Sequence, residues 1–93
     1  ALQAVTRDFA FLVDAKLPAG DLVRAVKGAD KKNITDARVF DSFAGQGVPE
    51  GKLSLAIEVT LQPVDKSFGD DELKAIADAV VKAAAKLGAE LRG

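Results

Sequence analysis

Hydrophobic and polar positions alternate most strictly between Lys52 and Gln62. Leu53, Leu55, Ile57, Val59 and Leu61 take every second position, with Ser54, Ala56, Glu58 and Thr60 between them. A two-residue period of this length predicts a β-strand with one face in a core and one turned outward. Pro63 ends its pairing, because proline has no backbone donor. Upstream, Ile34 to Phe43 reads as a second strand whose polar first half suits a sheet edge. By the same period Val39, Asp41 and Phe43 share one of its faces, and Phe40 and Ser42 share the other. Between the two strands, Ala44 to Gly51 (AGQGVPEG) is too long for a two-residue hairpin turn.

The rest of the chain supplies the partners. Arg7 to Val13 is a first strand, with Phe9, Phe11 and Val13 on one face and Ala10 and Leu12 on the other. Pro18 suits the start of a helix. That helix runs from Ala19 to Lys27, with Leu22, Val23 and Val26 spaced to meet a sheet and Gly28 as its stop. Ala29 to Asn33 is a charged loop. A second helix begins with Gly69 at its N-cap, and Asp70, Asp71 and Glu72 fill a first turn where the helix dipole favours acids. Phe68 and Leu73 have the spacing of a hydrophobic staple. Leu73, Ile76, Ala77, Val80, Ala84 and Leu87 recur at helical spacing until Gly88 takes the C′ position. Ala89 to Leu91 is a short last strand.

The order is β-α-β-β-α-β, the split βαβ or ferredoxin-like α+β arrangement. It predicts a four-stranded antiparallel sheet in the order 4-1-3-2, with two helices on one face. One domain over residues 1–93 is expected, and an opening Ala1 in place of Met suggests that it is cut from a longer chain.

Composition removes several kinds of chemistry. The 93 residues hold no cysteine, hence no disulfide and no thiolate zinc site. They hold no histidine, which removes the commonest general base and metal ligand. The net charge of −1 speaks against non-specific nucleic-acid binding as the main role. No apolar run is long enough for a bilayer and there is no secretory pattern, so a cytoplasmic place and no membrane partner are expected.

The uncovered sheet face is where function is expected. By the two-residue period it carries Ala10 and Leu12, then Ser54, Ala56, Glu58 and Thr60, then Val39, Asp41 and Phe43. Small residues at Ala10, Ser54 and Ala56 make a shallow floor. Phe43 offers a stacking surface, and Asp41 and Ser54 offer polar groups within about two strand spacings of ~4.8 Å. Unpaired bases are read in this way, by aromatic stacking and side-chain hydrogen bonds to base edges. The plainer alternative is that Phe43 packs on the loop and Asp41 caps a backbone group. The residues alone stop at a binding module with an open sheet.

Five strings carry a resemblance: Arg7-Asp8-Phe9-Ala10-Phe11-Leu12-Val13, Val39-Phe40-Asp41-Ser42-Phe43 with Gly45, Val48 to Ala56, Asp70-Asp71-Glu72-Leu73, and Leu87 to Gly93. Together they resemble the ferredoxin-fold anticodon-binding domain that closes the beta chain of bacterial phenylalanyl-tRNA synthetase, over nearly the whole chain. The resemblance implies that the open face reads the anticodon of phenylalanine tRNA through Ala10, Asp41, Phe43 and Ser54. Where this chain has Phe43 the family usually has tyrosine, so stacking is kept and a hydroxyl contact is lost. The same resemblance implies no cofactor in this fragment and no catalysis by it. ATP and magnesium would serve the whole synthetase, whose active site lies in the alpha subunit. Its partners would be phenylalanine tRNA, the rest of the beta chain and that alpha subunit.

Lys31, Lys32, Arg38 and Lys52 are candidates for phosphate contacts, with a solvated charged surface as the alternative. Arg7 and Asp8 read as a structural pair tying the first strand to its neighbours. Gly45-Gln46-Gly47 is turn chemistry, because the loop leads into a strand and lacks the Gly-Lys-Ser/Thr ending of a phosphate loop. Asp70, Asp71 and Glu72 are explained by the helix dipole rather than by a metal. The competing function is a free-standing small-molecule-binding or protein-interaction module, or an acylphosphatase-type enzyme. The enzyme would need an arginine-bearing phosphate loop where Ala15-Lys16-Leu17-Pro18 stands.

Overall fold

A computed structural model describes residues 2–92. Ala1, and the Gly93 that completes the last matching string, lie outside the described residues. The elements are β1 (Val5–Asp14), α1 (Ala19–Lys27), β2 (Ile34–Phe43), β3 (Lys52–Leu61), α2 (Asp70–Ala85) and β4 (Glu90–Leu91). The sheet order is β2-β3-β1-β4, all antiparallel, which is the expected ferredoxin-like order read from its other edge. β1 extends beyond the alternating segment at both ends and pairs with β3 along its full length, from Val5 opposite Leu61 to Asp14 opposite Lys52.

One face of the sheet is sealed by the helices. Phe11 and Val13 of β1 and Leu55, Ile57, Val59 and Leu61 of β3 form a single cluster with Leu22 and Val26 of α1 and Ile76, Val80 and Ala84 of α2. Phe11 and Phe9 stack with ring centroids 6.0 Å apart, the contact that locks β1 to this side. At the start of α2 the Glu72 carboxylate accepts from the Gly69 N–H at 3.1 Å, occupying a donor the helix itself leaves free. Phe68 and Leu73 both pack against the core beside it. At the other end Gly88 has φ +78. The Ala89 N–H donates to Ala84 O at 3.1 Å and the Gly88 N–H to Ala85 O at 2.9 Å. This paired closure needs a residue in the left-handed region, which glycine reaches at little cost.

β2 departs from plain alternation twice. Its register against β3 shifts between Ile34 and Asp36 and again between Val39 and Asp41, leaving Thr35 and Phe40 as extra residues. Each bulge reverses the facing of the residues after it. Val39 therefore stands opposite Ile57 and packs on the core, while Asp41 stands opposite Ala56 on the uncovered side. The expectation that Val39 joins Asp41 and Phe43 on the open face is corrected by the bulge at Phe40. Arg7 and Asp8 also separate, because neighbours on a strand point to opposite faces. The Arg7 guanidinium donates to Thr6 O at 2.9 Å beside the helix-side residues Phe9 and Leu73. Asp8 stands opposite Glu58.

Among the described residues no helix is long and apolar enough to cross a membrane.

Candidate nucleic-acid interface

The strand registers arrange the uncovered face in rows that cross β2, β3 and β1. Asp41, Ala56 and Ala10 form one row; Phe43, Ser54 and Leu12 form the next. Two residues along a strand separate the rows by about 6.7 Å. All four residues expected to form a base-reading site, Ala10, Asp41, Phe43 and Ser54, thus stand on two adjacent rows. A third row holds Arg38, Glu58 and Asp8, with the Arg38 Nε donating to Glu58 at 3.2 Å.

The side chains on these rows have different amounts of freedom. Phe43 is 44% exposed, so part of its ring lies open on this face. Asp41 accepts from the Ser42 N–H at 2.9 Å through Oδ1, which fixes the carboxylate at the backbone and leaves Oδ2 to meet a ligand. Ser54 is only 6% exposed although it lies on the uncovered side. Phe43 and Leu12 flank it in its own row. The alanines of the neighbouring row leave space beside it, since a methyl group is all that projects from Ala56 and Ala10.

Two residues not singled out as contacts also belong to this surface. Arg92 donates its backbone N–H to Ala10 O at 2.7 Å, continuing the register in which Leu91 stands opposite Phe11 and Glu90 opposite Leu12. It therefore extends the Ala10 row on the far side of β1. From there its side chain runs back across the sheet, and its guanidinium carbon lies 5.7 Å from the centroid of the Phe43 ring. Phe40, the extra residue of the bulge, is 46% exposed, and the Arg38 guanidinium lies 5.9 Å from its ring. Two arginine–phenylalanine contacts thus bracket Asp41. A pair of adjacent apolar residues, Val39-Phe40, is the one local hint of the bulge. Nothing local to Leu91-Arg92 announces the reach of the arginine, which depends on the β4 register.

Charge on the uncovered side is unlike that of a phosphate-binding surface. By register it carries Asp8, Asp14, Asp41, Glu58 and Glu90, against Lys52, Arg38 and Arg92, while Asp36 at the sheet edge lies 3.9 Å from Lys27 of α1. The cations proposed from sequence are dispersed. Lys52 stands one row beyond Ser54, opposite Asp14. Arg38 is engaged with Glu58. Lys31 and Lys32 sit in the turn before Ile34, at the opposite end of β2 from Phe43, roughly 30 Å away along a ten-residue strand. Asp70, Asp71 and Glu72 occupy the first turn of α2 on the other side of the molecule.

The loop from Ala44 to Gly51 closes the end of the face. Val48 is buried and donates its N–H to Gly45 O at 2.9 Å, anchoring the loop. Gly47 has φ +83, and a β-carbon there would lie 3.2 Å from the Arg92 guanidinium.

Residues 1–92 match the ferredoxin-fold anticodon binding domain family. The chain belongs to that family. It is 79% identical over 92 residues to the phenylalanine–tRNA ligase beta subunit of Novosphingobium aromaticivorans, a match covering 99% of this chain. It is 57% identical to the same subunit of Zymomonas mobilis over 98% of the chain, and 50% identical to that of Bradyrhizobium diazoefficiens over 99%. This anticodon-binding domain spans about 12% of the length of these relatives.

Proposed function

We propose that this domain is the anticodon reader of a phenylalanine–tRNA ligase beta chain, of which it is one part, and that it reads phenylalanine tRNA on its uncovered sheet face. The observation that carries the reading is the convergence of Ala10, Asp41, Phe43 and Ser54 on two adjacent rows of that face. Phe43 supplies the stack. Asp41, held at the backbone by Ser42, presents an acceptor to the N–H groups of a base edge. Ser54 adds a hydroxyl that both donates and accepts, and Ala10 and Ala56 leave room for a flat ring. The acidic balance of the face favours recognition of bases over attraction to phosphates, with Lys52 at the rim as the nearest phosphate contact.

The fragment carries out no chemistry of its own. ATP, magnesium and phenylalanine are used by the catalytic alpha subunit, and the remainder of the beta chain joins the domain to it. The cytoplasm, where charged tRNA is consumed, is the expected location.

The test is a backbone amide NMR titration with the anticodon stem-loop of phenylalanine tRNA and with loops of altered anticodon. Shifts centred on Ala10, Asp41, Phe43 and Ser54 with the cognate loop alone are the expected result. Shifts confined to lysines and arginines, indifferent to the anticodon, would overturn the base-reading role.

A further inference from the structure

In the free protein the stacking platform of the face is already occupied. The Arg92 guanidinium lies 5.7 Å from the centre of the Phe43 ring. Its backbone is held at the opposite side of β1 by the bond to Ala10 O. The side chain therefore spans the sheet above β3, over the ground where Ser54 lies only 6% exposed between Phe43 and Leu12. Among the described residues Arg92 has no carboxylate partner. Its tip rests on a ring face and beside Gly47, where a β-carbon would crowd it at 3.2 Å. The backbone is fixed and, among the described residues, the tip is held by weak contacts alone, an arrangement that lets the guanidinium move without disturbing the strand.

We propose that Arg92 is a further base-contacting residue: its guanidinium leaves the Phe43 ring when an unpaired base enters and closes over the outer face of that base. The base then lies between two flat groups, the phenyl ring below and the guanidinium above. A guanidinium is planar and weakly hydrated, so it stacks on a π-face where an ammonium does not. Bases in unpaired RNA are commonly held by aromatic rings and arginine planes of this kind. The inference rests on the anticodon-reading function proposed above and adds to it the residue that completes the stack.

The experiment measures binding of a labelled anticodon stem-loop to the intact ligase, with Arg92→Ala, Arg92→Lys and Phe43→Ala in the beta chain. Each is tested against the cognate loop and against loops in which each anticodon base is removed in turn. Arg92→Ala is expected to weaken cognate binding about tenfold, within the range for loss of one stacking contact. Arg92→Lys is expected to weaken it nearly as much. Both losses, and that of Phe43→Ala, should disappear on removal of one and the same base. Full rescue by lysine would make Arg92 a phosphate contact. A loss that survives removal of every base would make it a structural brace. Unchanged or tighter binding by Arg92→Ala would make it a bystander or a competitor for the ring. Any of these overturns the proposal while leaving the anticodon-reading function intact. Failure of the unmodified ligase to distinguish the cognate loop from an altered one would instead overturn that function, and this inference with it.

Discussion

Val39 and Asp41 are two residues apart on one strand yet face opposite sides of the sheet, Val39 opposite Ile57 in the core and Asp41 opposite Ala56 on the open face. The extra residue at Phe40 makes this possible. Removing Phe40 would restore simple alternation, with Val39 still inward and Asp41 and Phe43 still outward. Deleting Phe40 is therefore expected to lower the melting temperature by a few degrees and to preserve anticodon discrimination. Deleting Ser42 has no such escape. Whether the bulge stays or straightens, either Phe43 or Asp41 turns toward the helices, and discrimination is lost. Melting curves and stem-loop binding of the two deletions separate these outcomes.

Phe43→Ala is expected to cost about tenfold or more in cognate stem-loop affinity, in line with ~1–3 kcal/mol for a base stacked on an aromatic side chain. Folding stability should change little, because the ring is 44% exposed. Phe43→Tyr keeps the stack and adds a hydroxyl. A new hydrogen bond of about 1 kcal/mol would tighten binding roughly fivefold, and fluorescence anisotropy would measure both variants.

Salt dependence should be shallow for an RNA-binding surface, given the acids that line the open face. Each phosphate contact adds about 0.7 to the slope of log K against log salt for a single strand. Lys52→Ala is expected to reduce that slope by about this amount. Lys31→Ala and Lys32→Ala should leave it unchanged with a short stem-loop, because they stand at the other end of β2. Binding isotherms from low to moderate salt provide the comparison.

The core has little reserve. Phe11 is fully buried and stacked on Phe9, so Phe11→Ala is expected to cost about 3–5 kcal/mol. Domains of this kind have about 5–15 kcal/mol in total. Urea denaturation should show a midpoint shifted far down, or no folded baseline at all.

Much of this was legible in the chain itself, for identifiable reasons. The unbroken alternation from Leu53 to Leu61 reports one strand and both its faces, because burial on one side leaves no other pattern stable. The acids after Gly69 and the glycine at position 88 mark the ends of α2 through backbone groups that any helix must satisfy. The same alternation puts Ala10, Asp41, Phe43 and Ser54 on the open face among others, and the family resemblance singles these four out as the proposed site. Alternation fails at Val39, because a bulge is decided by pairing with another strand and leaves only two adjacent apolar residues as its trace. Arg7 and Asp8 point to opposite faces of β1, as the two-residue period requires. The pattern leaves Arg92 without a role, since the path of that side chain across the sheet comes from the β4 register and from the flat floor at Ala10 and Ala56.

The rows of the open face also set a length scale. They repeat about every 6.7 Å along the strands, whereas successive stacked nucleotides in a strand advance about 3.4 Å. A continuous stack laid along the strands would bring only every second base over a row. Nucleotides must be pulled apart before neighbours can each meet a row of their own. The spacing of the pleat thus matches a loop whose bases have already come apart better than a continuous helical stack.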